Sequence, residues 1–187
     1  MGTVASDGLM AGGVLPVMKH IPGHGRAGAD SHLELPVVDA SLGMLEATDF
    51  AAFRSLAHLP AAMTAHVVYP AIDASAPAST SALVTRRIIR EYIGFDGLLM
   101  SDDLGMRALS GGFGDRARAV IGAGSDLALH CSGNLSEMRE VAGATPLLAG
   151  RARDRYLRAV SIAEAEPVDF DVEAARTAVA RLLARVA

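Results

Sequence analysis

Two periods of apolar and polar positions run along this chain. Four short stretches are dense in aliphatic residues: "GVLPVM" (13–18), "AAMTAHVV" (61–68), "GLLM" (97–100) and "DLALH" (126–130). Periodicity alone does not separate such runs from buried helix, but their length and flanking glycines and prolines favour strands buried in a parallel sheet. Between and after them the pattern turns helical. One helix is predicted over about 42–57, entered from Ser41 as N-cap. A second, over about 81–93, follows Ser79 and Thr80 and sets Leu83, Ile88, Ile89 and Tyr92 among arginines. A third is predicted over about 114–123 and a fourth from Leu135. The tail from about 150 reads as two arginine-rich helices broken at Pro167.

Strand alternating with helix four times predicts an α/β fold with a parallel sheet. A doubly wound open sheet is one solution. The polar residues favour a (β/α) barrel instead. Lys19 and His20 follow the first run, His66 falls near the end of the second, Asp102 and Asp103 follow the third, and His130 ends the fourth. Barrel enzymes draw their catalytic groups from the C-terminal ends of several strands. A complete (β/α)8 TIM barrel needs eight strands and typically about 250 residues. The 187 residues here supply about four βα units plus C-terminal helices, half a barrel. With no repeat, low-complexity linker or composition shift, residues 1–187 read as a single partial domain.

Composition narrows the function. A net charge of -4 with no basic stripe argues against nucleic acid. The longest uncharged run, Ser55 to Ile72, carries two histidines and two prolines and is a poor membrane span. The N-terminus has no signal-peptide pattern, and the lone Cys131 fits a reducing compartment. A cytoplasmic protein is expected.

The chemistry concentrates in "KHIPGHGRAGADSH" (19–32), which holds the only lysine and half of the six histidines. Its glycines suit tight turning or close backbone approach to a ligand. His20, His24 and His32 with Asp30 could gather around zinc from a loop. Alternatively, "DSH" at 30–32 sets a carboxylate beside an imidazole, a pairing that fixes tautomer and lets histidine act as acid and base. In "LLMSDDLGM" (98–106) two carboxylates stand where an apolar strand ends. One could cap the following turn, leaving the other for chemistry. His66 and His130 read equally well as satisfied core histidines, and Cys131 as inert.

Together these stretches resemble the bacterial single-domain β-N-acetylhexosaminidases of glycoside hydrolase family 3. The resemblance covers about residues 8–145. "KHIPGHGRAGADSHLELPVV" is similar to that group's substrate-loop signature and "FDGLLMSDDLGM" to its nucleophile motif; "AMTAHVVY" and "AGSDLALHCSGN" match in order and spacing. The resemblance implies a retaining hydrolase that removes terminal β-N-acetylglucosamine from peptidoglycan-derived fragments through a covalent glycosyl-enzyme, without metal or cofactor. It implies Asp102 as nucleophile and His32 as acid/base held by Asp30. Lys19 and His20 would bind sugar hydroxyls, with His66 nearby. Gly105 stands where the family commonly has serine. The chain joins the family pattern midway, so the expected fold is the C-terminal half barrel. Such a half would pair as a homodimer or with the missing N-terminal half barrel, or persist as a non-catalytic remnant.

Overall fold

Three short strands, β1 (Val17–Ile21), β2 (Ala61–Thr64) and β3 (Leu98–Met100), form a parallel sheet in the order β1-β2-β3. They belong to a computed structural model that describes residues 1–185. The predicted first strand is displaced. Pro16 has no N–H to give to a ladder, so pairing begins at Val17, and Lys19 and His20 lie inside β1 instead of following it.

The fourth predicted strand is not a strand. Segment 126–130 touches β3 through a single bridge, Met100 to Leu127. Side chains take over the remaining ladder positions. The Asp126 carboxylate accepts the Leu99 N–H (2.9 Å) and Ser101 Oγ accepts the Leu129 N–H (3.0 Å). The segment therefore lies beside β3 without adding a regular rung.

Eleven elements in all build the described residues. Helix α1 (Gly2–Ala11) has no counterpart in the sequence expectation: its two glycines and weak apolar stripe disguise it, and only Ser6 is buried. The single helix expected over 42–57 is two, α2 (Leu42–Ala47) and α3 (Asp49–Arg54). They break at Thr48, whose φ of -123° and ψ of -70° leave the helical region. Ser41 caps α2 as anticipated, its hydroxyl accepting the Met44 N–H at 3.4 Å. The helix expected over 81–93 forms as a π-helix (Val84–Tyr92), closed by a wide turn from Ile93 N–H to Ile88 O (2.8 Å). Ser81 Oγ, three residues ahead of its first residue, accepts the Val84 N–H at 3.1 Å. Helices α4 (Phe113–Gly122), α5 (Leu135–Ala144), α6 (Gly150–Ala163) and α7 (Val172–Leu183) follow the predicted pattern. No helix among the described residues is long and apolar enough to cross a membrane.

The two faces of the sheet differ. On one, Met18, Ala62 and Leu99 pack in a closed aliphatic core with Leu45, Phe50, Ile88 and Ile89 of α2, α3 and the π-helix. On the other, Ala61 and Leu98 at the strand starts meet Ala159 of α6. Further along this second face Met63 and Met100 are only half-buried and Lys19 is exposed. The chain thus leaves open the sheet surface nearest the strand ends.

Candidate active site

A bulge sets up the site. Along β1, Lys19 pairs with Met63 but Ile21 pairs with Thr64, so His20 is an extra residue in the register. In a regular strand Lys19 and His20 would point to opposite faces. The bulge re-aims His20, and its Nε2 comes within 3.5 Å of Asp102 Oδ2 at the end of β3. Asp102 is 8% exposed. Burial pushes His20 below the ordinary imidazole value, against the opposing pull of Asp102, with Lys19, His24 and His32 lowering it further. The balance favours the uncharged form of His20 beside Asp102.

The paired carboxylates divide their work. Asp103 serves the turn: its Oδ1 accepts the N–H groups of Gly105 and Cys131, each at 3.0 Å. Asp102 spends only Oδ1, on the Asp103 N–H (2.9 Å), leaving Oδ2 toward His20. A Cβ at Gly105 would lie 3.0 Å from Asp103 Oδ2, so glycine here keeps that carboxylate uncrowded.

Behind Asp103 stands a group that sequence reasoning did not assemble. His130, with a side chain 3% exposed, donates from Nε2 to Glu137 Oε2 (3.0 Å) and turns Nδ1 toward Asp103 Oδ1 at 3.5 Å. Ser132 Oγ donates to the same Glu137 oxygen. Glu137 comes from α5 and carries no local signal linking it to "SDD".

His66 lies beneath the strand end, fully buried. The Asp103 carbonyl can only accept, so Nε2–H donates to it (3.1 Å), and Ser79 Oγ–H donates to Nδ1 (2.7 Å). Both nitrogens are engaged by protein. His66, expected near the sugar site, thus braces the Asp103 backbone from below. Burial lowers its pKa, opposed by the Asp103 carbonyl and the two carboxylates. The unfolded chain takes up a proton near pH 6.5 that native His66 refuses. Stability should therefore be full above that value and fall as pH drops from about 7 toward 5. Thermal melts of the wild type and His66→Gln check this. The variant should be less stable throughout, by about 1–3 kcal/mol for each buried partner left unpaired, and should lose part of the pH slope. An unchanged slope would count against it.

The remaining candidates sit on the loop after β1. His32 Nδ1–H donates to Asp30 Oδ1 (2.8 Å), and the His32 backbone N–H donates to the same oxygen (2.9 Å). These two bonds hold the Asp30 carboxyl below its usual range, the backbone bond contributing most. They also fix the tautomer, leaving Nε2 free. His24 joins neither Asp30 nor a common centre with His20 and His32; its Nε2 meets Ser31 Oγ at 3.0 Å. Among the described residues no three metal-ligating side chains converge.

The model of the glycosyl hydrolase family 3 N-terminal domain matches residues 1–151. A β-hexosaminidase of Thiobacillus denitrificans is 42% identical over 136 residues, 71% of this chain and 38% of that protein. One from Neisseria meningitidis serogroup C is 45% identical over 129 residues, 67% of this chain and 36% of that protein. Among solved structures, a glycoside hydrolase family 3 β-N-acetylglucosaminidase from Paenibacillus sp. str. FPU-7 superposes with a TM-score of 0.78 at 30% identity, covering 91% of this chain and 36% of that one. NagZ from Neisseria gonorrhoeae in complex with N-trifluoroacetyl-D-glucosamine gives 0.67 at 36% identity, covering 79% and 45%. The chain spans less than half the length of these relatives.

Proposed function

Because the chain belongs to glycoside hydrolase family 3, we propose that it carries the nucleophile and the acid/base of a retaining β-N-acetylhexosaminidase. The observation that carries this reading is the arrangement at the end of β3: Asp103 Oδ1 is tied to two backbone N–H groups of the turn, while the buried Asp102 turns Oδ2 toward His20, 3.5 Å away. In the first step the Asp102 carboxylate attacks the anomeric carbon as the glycosidic C–O bond breaks, and His32, entering this step as the imidazolium, gives its Nε2 proton to the departing oxygen and keeps Nδ1–H on Asp30. In the second, His32 takes a proton from water as its oxygen attacks the same carbon, and the ester to Asp102 opens. Histidine replaces the usual carboxylic acid, and Asp30 orients it through Nδ1. Lys19 and His20 donate to sugar hydroxyls, and His66 positions the nucleophile from below.

The sheet is read as part of a (β/α)8 barrel. Its strand order has no reversal, and His20 near the end of β1 meets Asp102 just past the end of β3. The substrate is terminal β-N-acetylglucosamine on peptidoglycan-derived fragments, met in the cytoplasm. The names of the relatives support the sugar; the resemblance of the loop and nucleophile motifs supports the covalent route.

A second reading has its own support. The open sheet face at Lys19, Met63 and Met100 suits a non-catalytic half barrel that needs a partner chain or a second copy. One assay separates the two. The chain alone should release nitrophenol from nitrophenyl N-acetyl-β-glucosaminide and not from the glucoside. No release, restored by adding the other portion of a full-length relative, would favour the half-barrel reading.

A further inference from the structure

We infer that Arg26 and Asp49 form a latch that positions the Asp30–His32 dyad by fastening its loop to the start of α3. The Asp30 and His32 side chains are 58% and 74% exposed, so no packing holds them in place. Their geometry must come from the loop that bears them. That loop is anchored close to its origin. Arg26 Nε and Nη2 both donate to the Asp49 carboxylate, at 3.1 and 2.9 Å, and Nη2 also donates to Thr48 Oγ at 3.1 Å. Three residues earlier the backbone of Gly23 lies flat on the same site: a Cβ there would stand 3.3 Å from Asp49 Cβ. The buried Tyr69 hydroxyl donates to the Gly23 carbonyl. From this anchor the tie passes across the loop, since His24 bonds Ser31, the buried residue between the two members of the dyad.

Exposed ion pairs usually contribute little. This one differs in geometry and burial. It is bidentate, which fixes direction as well as distance, and the Asp49 side chain is only 11% exposed. Burial disfavours the Asp49 charge, but the hydrogen bonds from Arg26 and Thr48 outweigh that and hold its carboxyl below the usual range. Arg26 and Asp49 touch neither Asp102 nor the dyad in any hydrogen bond of the structure, so both are positioning residues.

The latch rests on the acid/base role proposed for His32, and the test keeps the two apart. Arg26→Ala, Asp49→Ala, Arg26→Lys and the exchanged pair Arg26→Asp/Asp49→Arg are prepared in the full chain. Amide hydrogen exchange is followed at His32, Leu33 and Glu34, whose N–H groups all bond to Asp30. Each alanine variant should speed that exchange by about tenfold or more. The exchanged pair should restore protection, and lysine, a point donor without the fork, should fall between. On phenyl N-acetyl-β-glucosaminide kcat/KM should fall about tenfold, and on the nitrophenyl substrate only about twofold, because a good leaving group needs little proton transfer. Exchange unchanged in Arg26→Ala, or equal losses on the two substrates, overturns the latch. A wild-type chain that turns over neither substrate sinks the hexosaminidase reading instead, and loop exchange then decides the latch alone.

Discussion

Asp102→Asn is expected to lower turnover of an aryl N-acetylglucosaminide by at least about a thousandfold, because an amide cannot form the glycosyl ester. The fold should survive. Asp102 contributes one hydrogen bond, to the Asp103 N–H, and an asparagine oxygen can still accept it. Asp103→Asn is the matched control. Its Oδ1 accepts two backbone N–H groups that tie the turn after β3 to the segment at Cys131. An amide oxygen keeps those acceptor sites, so the loss should be about tenfold or less and should come with reduced stability. Steady-state rates and thermal melts of the two variants, side by side, make the comparison. Equal losses, or Asp103 as the sensitive member, would reverse the assignment of the pair.

The second large effect belongs to His32. Replacing it by alanine should slow a substrate with a poor leaving group by about 10²–10⁴-fold, the usual range for a positioned proton donor. A nitrophenolate leaving group needs little protonation, so its departure should slow far less. Asp30→Asn should fall between, because an amide can present either an acceptor or a donor to Nδ1 and no longer fixes the tautomer that leaves Nε2 free. The measurement is kcat/KM across a series of aryl leaving groups, plotted against phenol pKa. A steeper slope in His32→Ala than in the wild type is the expected result. Parallel lines would mean that His32 binds and does not transfer protons.

Much of this was legible in the chain itself, and the misses have physical causes. The aliphatic runs at 61–68 and 97–100 fell on strands because few charges interrupt them. The run at 13–18 misled because Pro16 looks apolar while lacking the N–H a ladder needs. Segment 126–130 kept the composition of a strand, but Asp126 and Ser101 supply side-chain partners where a ladder would use backbone. The dyad at 30–32 and the strand-end pair at 102–103 stood out because chemistry and spacing coincide locally. Asp102 follows Leu98 and Met100 in the alternation along β3, and the structure sets it beside His20. What remained hidden is nonlocal. Glu137 behind His130, Ser79 under His66 and Asp49 against Arg26 meet across seven to 23 positions of sequence, with no periodicity to announce them. The bulge at His20 was equally silent, since a register shift appears only when a strand meets its partner.

The claim that ties these residues together is that Asp102 forms a covalent bond to the sugar. Incubation with a fluorinated N-acetylglucosaminyl fluoride, which forms the glycosyl-enzyme readily and hydrolyses it slowly, followed by peptide mass spectrometry, tests this most directly. The predicted result is one sugar attached to Asp102, absent from the Asp102→Asn variant. A label on Asp103 or on any other residue, or no label at all, would contradict it.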